Sequence, residues 1–331
     1  MSHSVEVALL GATGATGEQV LSALEPLEFI ARVIPLGSAT RSPRVDTVSF
    51  RGQNLGVEPA PALGNLKPDL AILCVPPNIS ARVAPELARR GVLTLDLGNV
   101  TNTDYPLVLP GVSPELPEAV AKAGALRTPS SIGAMLAALV APLVPAGLTG
   151  CRAVVHVGAS VRGRAGMEEL GQQVVAALNN QDPHRRVFVD GLAFDLLAED
   201  VAMDEWSRAE LQAASEIAAL TGLGESRVAV QVGTAPMFAG ITAAVHLTGV
   251  GIEAVEELLG AAPGIGSVSR AARLRPRAVL GKPGVAWGRL RVDPAGDGVH
   301  LWAVTDDLAT AGATAARIAT WLNSAGLLGV Q

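Results

Sequence analysis

Two short stretches of this 331-residue chain combine residue types that chemistry uses. The first, GATGATG, spaces Gly11, Gly14 and Gly17 evenly, directly behind the apolar run VEVALL and ahead of a helical pattern. In that context the backbone can approach a pyrophosphate at the positive end of a helix, and a dinucleotide cradle would use Gly11, Thr13, Gly14, Ala15, Thr16 and Gly17. Without a ligand the same spacing is simply a tight strand-to-helix turn. The second stretch, RTPSSIGAM at 127–135, offers Ser130 and Ser131 where the first half of the chain gives way to a long apolar helix. A serine hydroxyl is barely ionised at neutral pH and needs an adjacent base to attack anything. The stretch is therefore either a nucleophile loop or one that has been emptied.

Other residues narrow the chemistry. An Asp or Glu about twenty residues past a glycine loop would accept the ribose hydroxyls of NAD. Here GSATRSPR supplies Ser38, Arg41 and Ser42, with no carboxylate until Asp46. Arginine and hydroxyls suit a 2′-phosphate, so NADP is favoured over NAD; the alternative is that Arg41 and Arg44 are solvated loop residues. Two cysteines, Cys74 and Cys151, make neither a disulfide framework nor a zinc pattern, and both read as small buried residues in a reducing, cytoplasmic setting. No metal site is expected. His156 and His246 read as strand residues, the latter with a polar neighbour. Arg270, Arg273, Arg275 and Arg277 read as a solvated loop, and DPHRR at 182–186 as an exposed turn.

The elements that must position these residues follow from periodicity. VEVALL, ARVIPLGS, DLAILCV and VLTLDLG are nearly continuous apolar strands alternating with helical segments, EQVLSALEPL and SARVAPELARRG among them. That pattern implies a parallel sheet covered on both faces, over roughly the first 127 residues. Longer strand candidates then come closer together: CRAVVHVGASV, SRVAVQVGTAPMF, ITAAVHLTGV, VAWGRLRV and HLWAVT. They suggest a mixed or antiparallel sheet in a second domain. Apolar residues make up 49% and charged ones 17%, which suits a well-buried globular protein. The net charge of −6 gives no electrostatic reason to expect nucleic acid or an anionic membrane. The uncharged run between Arg127 and Arg152 is broken by Pro142 and Pro145, which favours a core helix over a membrane span. The opening MSHSVEVALLGATG has no basic leader pattern and runs straight into a strand.

In order along almost the whole length, GATGATG, TLDLGN, PLVLPGV, AFDLL, AAPGI, WGRLRVD and LWAVTDDL resemble the aspartate-semialdehyde dehydrogenase family. The resemblance implies an α/β fold: a Rossmann-type NADP-binding domain over 1–130, an α+β mixed-sheet dimerisation domain over 131–307, and a helix at 308–331 packing back on the first domain. It also implies a homodimer. In working members a cysteine attacks an aldehyde, NADP takes the hydride and phosphate releases the acyl enzyme. The motif around that cysteine is N-P-N-C-[ST]; here Thr128, Pro129, Ser130 and Ser131 stand in it, with Ser131 in the thiol's place.

Other positions depart together. Ser160 stands for the substrate-positioning glutamine, Thr234 for the carboxylate-clamping arginine and Ile241 for the acid/base histidine. Asn102 stands for the phosphate-binding arginine, Gln212 for a lysine and Asp307 for a cofactor-side asparagine. His246 does not replace the lost base: five strand residues span about 16 Å, and alternation puts it on the other face from Ile241. The pattern resembles the cysteine-less, Usg-like paralogue branch of the family. Three functions follow: a non-catalytic NADP-binding homodimer; an NADP-dependent oxidoreductase of amino-acid-biosynthesis type acting on an altered substrate through Ser131 or water; or a partner protein without tight cofactor binding.

Overall fold

The computed structural model describes residues 4–37, 46–98, 104–114, 116–199, 201–203, 206–267 and 273–329. The chain divides into two compact units, Met1–Pro129 with Ala311–Gln331, and Ser130–Thr310.

The first unit opens with β1 (Val5–Leu10), α1 (Ala15–Leu24) and β2 (Ile30–Gly37). A hairpin of β3 (Thr47–Phe50) and β4 (Gln53–Gly56) follows, then β5 (Glu58–Pro59), β6 (Leu70–Leu73), α2 (Pro77–Arg89), β7 (Leu93–Asp96), α3 (Pro117–Ala123) and β8 (Ala125–Arg127). Six strands form one parallel sheet in the order β5-β2-β1-β6-β7-β8. Strands of such a sheet are buried on both faces, which is why β6 and β7 carry no exposed position. One face packs Val7, Leu9, Ile72 and Leu95 against Val20, Leu24, Ile318 and Leu322; the other packs Ala8, Leu10 and Leu73 against Ala84 and Leu87. The first helix begins at Ala15 rather than Glu18, because the last part of the glycine loop is already helical.

In the second unit α4 (Ser131–Val140) leads to β9 (Gly150–Val157), α5 (Gly163–Leu178), β10 (Leu197–Ala198), β11 (Val201–Met203), β12 (Trp206–Ser207) and α6 (Arg208–Thr221). Next come β13 (Val228–Thr234), β14 (Ile241–Thr248), α7 (Ile252–Ala261), β15 (Ile265–Ser267), β16 (Val285–Val292) and β17 (Val299–Thr305). The seven-stranded sheet runs β10-β13-β9-β14-β17-β16-β15. It is mixed: β9 with β13 and β15 with β16 are parallel, and the other pairs antiparallel. The CRAVVHVGASV strand stops at Val157, where Ala159–Arg162 turns into a short 3-10 helix. The final helix, α8 (Asp307–Ser324), starts in the second unit and ends in the first. The apolar α4 is followed by a 3-10 turn over Ala141–Ala146, and among the described residues no helix is long and apolar enough to cross a membrane.

Candidate functional site

In the first sheet the strand order reverses between β1 and β6: the chain leaves β1 for β2 on one side and returns to β6 on the other. Open parallel sheets take ligands outside the carboxyl ends of their strands at such a reversal. The GATGATG loop starts there, and Cys74, just after β6, donates its N–H to Leu10 O at 2.8 Å.

Each glycine of the loop has its own reason. Gly11 has φ +88°, and a Cβ on it would overlap the carbonyl oxygen of Cys74. A Cβ on Gly17 would overlap Gly11 O, so these two glycines set how closely loop and helix pack. Gly14 is different. Its φ of −76° suits any residue; it is the N-cap of α1, and no side chain caps that helix. The first-turn amides of Ala15, Thr16 and Gly17 are thus left for an external acceptor, and the helix dipole favours an anion there. Thr13, Gly14 and Thr16 are partly exposed beside them. This cradle fits a dinucleotide pyrophosphate. Ser38, Arg41 and Ser42, expected to meet the ribose end, lie outside the described residues, as do Arg44, Asn102 and Arg270.

The same sheet end holds Asp96, fully buried at the end of β7. Burial raises its pKa, opposed by the nearby Ser80 hydroxyl, the Gly98 N–H at 2.7 Å and the Arg127 charge. Burial, reinforced by the Asp96 charge, pushes the Cys74 thiol up to about 12. Burial alone takes Cys151 up to about 12. Neither sulfur is a thiolate near neutral pH.

In the second unit Ser131 is the first residue of α4, and Ser130 is its N-cap, accepting from Gly133 N at 3.1 Å. The carboxylate that dominates this corner, Glu216 of α6, was not foreseen. Its Oε2 accepts from Ser130 N at 2.8 Å and from Ser130 Oγ at 2.6 Å, while Oε1 accepts from Gln212 Nε2 at 2.8 Å. A Cβ on Gly133 would overlap Glu216 Oε2, so the helix start is fitted around this carboxylate. A signal for it existed, because Glu216 falls on the stripe of α6 that buries Ala213, Ile217 and Leu220. Among the described residues, the Ser131 hydroxyl makes no hydrogen bond.

Thr234, Val157, Ile241 and Thr305 occupy one row across β13, β9, β14 and β17. Thr234 and Ile241 therefore share a face two strands apart, about 9.5 Å. Both are buried. Thr234 Oγ1 donates to Glu199 Oε1 at 3.0 Å, and Glu199 Oε2 lies 3.5 Å from Arg162 Nη2. Glu199 and Arg162 carry no sequence signal, since the Glu199–Thr234 contact joins residues far apart in the chain. Ser160 and Asp307 also come together. Asp307 Oδ1 accepts from Gly240 N at 2.8 Å, and the Ser160 backbone N–H donates to Phe238 O at 2.9 Å. Burial raises the Asp307 pKa; the Ser160 hydroxyl and the Gly240 N–H oppose it, and the Asp306 charge adds to it.

Two family models cover most of the chain. Residues 6–120 match the semialdehyde dehydrogenase NAD binding domain, and residues 140–310 the semialdehyde dehydrogenase dimerisation domain. The chain is 28% identical to aspartate-semialdehyde dehydrogenase 2 of Vibrio cholerae over 95% of its own length and 96% of the relative's. It is 29% identical to the USG-1 protein homolog of Azotobacter vinelandii over 60% of this chain and 59% of that one. The crystal structure of aspartate semialdehyde dehydrogenase II from Vibrio cholerae, complexed with ASA, superposes with a TM-score of 0.89 at 25% identity, covering 97% of this chain and 98% of that one.

Proposed function

The chain belongs to the semialdehyde dehydrogenase family, and from that premise we propose that it is a Usg-like, NADP-binding homodimer that does not turn over aspartate semialdehyde. The observation that carries this reading is that no activated nucleophile stands at the cysteine position among the described residues. Ser131 there makes no hydrogen bond to a base, and burial pushes both thiols of the chain up to about 12. The row where an arginine and a histidine are expected holds Thr234 and Ile241, neutral and buried. With threonine in place of the clamping arginine, this row has less means of holding a dianionic acyl phosphate.

Cofactor binding is supported by the uncapped start of α1 and by the fitted glycines. The preference for NADP rests on Ser38, Arg41 and Ser42 and on the lack of an early carboxylate. The homodimer rests on the match to a dimerisation domain. Two free cysteines without a disulfide pattern suit the cytoplasm.

Two measurements test the proposal. A ligand of the native state raises the melting temperature, so NADP must shift it and NAD must shift it less. Phosphate-dependent NADP reduction with aspartate semialdehyde must stay at background. Robust turnover overturns the inactive reading, and the lack of any nucleotide shift moves the protein to the role of a partner without tight cofactor binding. A second reading, an oxidoreductase for a less charged aldehyde or acyl substrate, draws on one observation. Arg162 keeps a cation beside Thr234 through Glu199.

A further inference from the structure

The opposite face of the second sheet carries a cluster unrelated to that row. His246 on β14 and His300 on β17 are directly registered cross-strand partners. Their rings stack with centroids 4.5 Å apart and planes 22° from parallel. Asp293 follows β16, whose last residue, Val292, pairs with Val299, and its backbone N–H donates to Gly298 O at 2.9 Å. Its Oδ1 is taken by the Ala295 N–H at 3.0 Å, which leaves Oδ2 for the histidines. Oδ2 lies 2.9 Å from His246 Nε2 and 3.5 Å from His300 Nε2. The buried His246 Nε2 nevertheless has no hydrogen-bond partner, close as that carboxylate oxygen is.

We propose that His246, His300 and Asp293 form a binding site for a divalent transition-metal ion of the zinc class. One ligand atom from each residue lies within 4.8 Å of the other two. A tetrahedral ion with bonds near 2.0–2.1 Å to nitrogen and oxygen needs neighbouring ligands about 3.3–3.4 Å apart. The two nitrogen–oxygen separations bracket that value, and the site closes when the stacked rings tilt so that their nitrogens, which lie within 4.8 Å of each other, also converge. Two imidazoles and one carboxylate select zinc or cobalt over magnesium or calcium, which prefer oxygen ligands throughout. Three protein ligands leave the fourth position to water, and the His300 side chain, 32% accessible, gives the ion a way in.

His246 and His300 sit on paired strands and Asp293 directly follows a third strand of the same sheet, so the two histidines are preorganised by the ladder. Arg152 is the cross-strand neighbour of His246, and Arg291 of His300. Both are exposed, so solvent screens their repulsion of an incoming cation. A bound ion would tie β14 to the β16–β17 hairpin, a structural role independent of dinucleotide binding.

The test titrates chelator-stripped full-length protein with zinc chloride by calorimetry, and with cobalt chloride by visible absorption. One ion per chain is expected, with cobalt bands of tetrahedral intensity and a zinc-dependent rise in Tm. H246N, D293N and H300N should each weaken zinc binding by at least about tenfold, while H184N leaves it unchanged. Should a strand variant fail to fold, histidine-ring NMR of the unaltered protein answers instead: zinc must move the His246 and His300 signals and leave His184 in place. Lack of stoichiometric uptake, affinity indifferent to the three substitutions, or zinc shifts confined to other histidines overturns the proposal.

Discussion

Ser130 gives its hydroxyl proton to Glu216 Oε2 at 2.6 Å while its oxygen accepts from Gly133 N at 3.1 Å. One small side chain thus caps α4 and satisfies a buried carboxylate. The hydroxyl of the adjacent Ser131 makes no hydrogen bond among the described residues. The two serines should therefore separate in a stability assay. Ser130→Ala removes a charge-assisted bond and a helix cap, and is expected to cost about 2 kcal/mol in urea unfolding. Ser131→Ala should stay within about 0.5 kcal/mol. Equal costs would mean that the division of labour between them is wrong.

The glycines of the first loop divide in the same way. Gly11→Ala places a methyl against Cys74 O at φ +88°, and should cost at least about 2 kcal/mol whether or not nucleotide is present. Gly14→Ala meets only Gly11 O, at 3.2 Å, in a conformation open to alanine. Its fold should lose about 1 kcal/mol, while the NADP-induced rise in Tm falls by more than half. A full nucleotide shift in Gly14→Ala would show that the loop is only a turn.

Much of this arrangement could be read from the chain itself. Parallel strands buried on both faces are continuous apolar runs, so β1, β2, β6 and β7 stand out. The helix carrying Gln212 and Glu216 follows a 3.6-residue period. The β3–β4 hairpin carries no sequence signal for a physical reason. Its two-residue turn, Arg51-Gly52, takes φ 49° and 73°, a turn usually marked by Asn or Asp before Gly. Arginine tolerates the strain here because its guanidinium donates to Glu25 O, Leu27 O and Ile30 O at 2.8, 2.7 and 2.9 Å. These are carbonyls at and beyond the end of α1, partners that sequence spacing does not reveal. The Glu199–Thr234 and Glu216–Ser130 contacts likewise join residues that spacing does not pair, although the α6 stripe does place Glu216 in the interior.

Asp306 and Asp307 are adjacent but differently used. Asp306 accepts from Leu308 N and Ala309 N through Oδ1 and from Gly281 N through Oδ2. Asp307 is buried, with its pKa raised above the usual 3.8 chiefly by burial. A raised carboxyl contributes stability that is complete below 3.8 and lost as pH rises through the folded-state value. Asp307→Asn keeps the acceptor for Gly240 N and removes the charge. The variant should melt higher than the parent at neutral pH, with the gain shrinking on acidification. A gain independent of pH would point to packing instead.

Glu169 has the opposite sign. It is nearly fully buried on α5, and burial works against its charge. The backbone N–H groups of Phe188, Val187 and Arg186, each at 2.8 Å, outweigh burial and hold its pKa below 4.5. Its contribution is therefore present above 4.5 and lost as pH falls through the lower folded-state value. Glu169→Gln should lower Tm at neutral pH and flatten the acid limb of the stability curve. Limited proteolysis should then open the segment around residues 184–193, which Glu169 and Gln173 together tie down.

The inactive reading makes a last demand on the second unit. If the missing thiol were the sole defect, Ser131→Cys would restore phosphate-dependent turnover of aspartate semialdehyde. The thiol would start α4, where a helix N-terminus favours a thiolate. Yet Ile241 offers no proton acceptor and Thr234 no cation, and both lie on the same buried row. Groups that act as a unit are strongly non-additive, so the single variant should remain at background. Alkylation should nonetheless label the new cysteine, separating a reactive sulfur from a working site. Adding Thr234→Arg and Ile241→His must then raise turnover above the single variant. The arginine would meet Glu199, which Thr234 already touches at 3.0 Å, so its charge would be partly neutralised. Glu199→Gln in the same background should release it and lower KM further. Turnover from Ser131→Cys alone would instead mean that catalytic partners persist among groups outside this row.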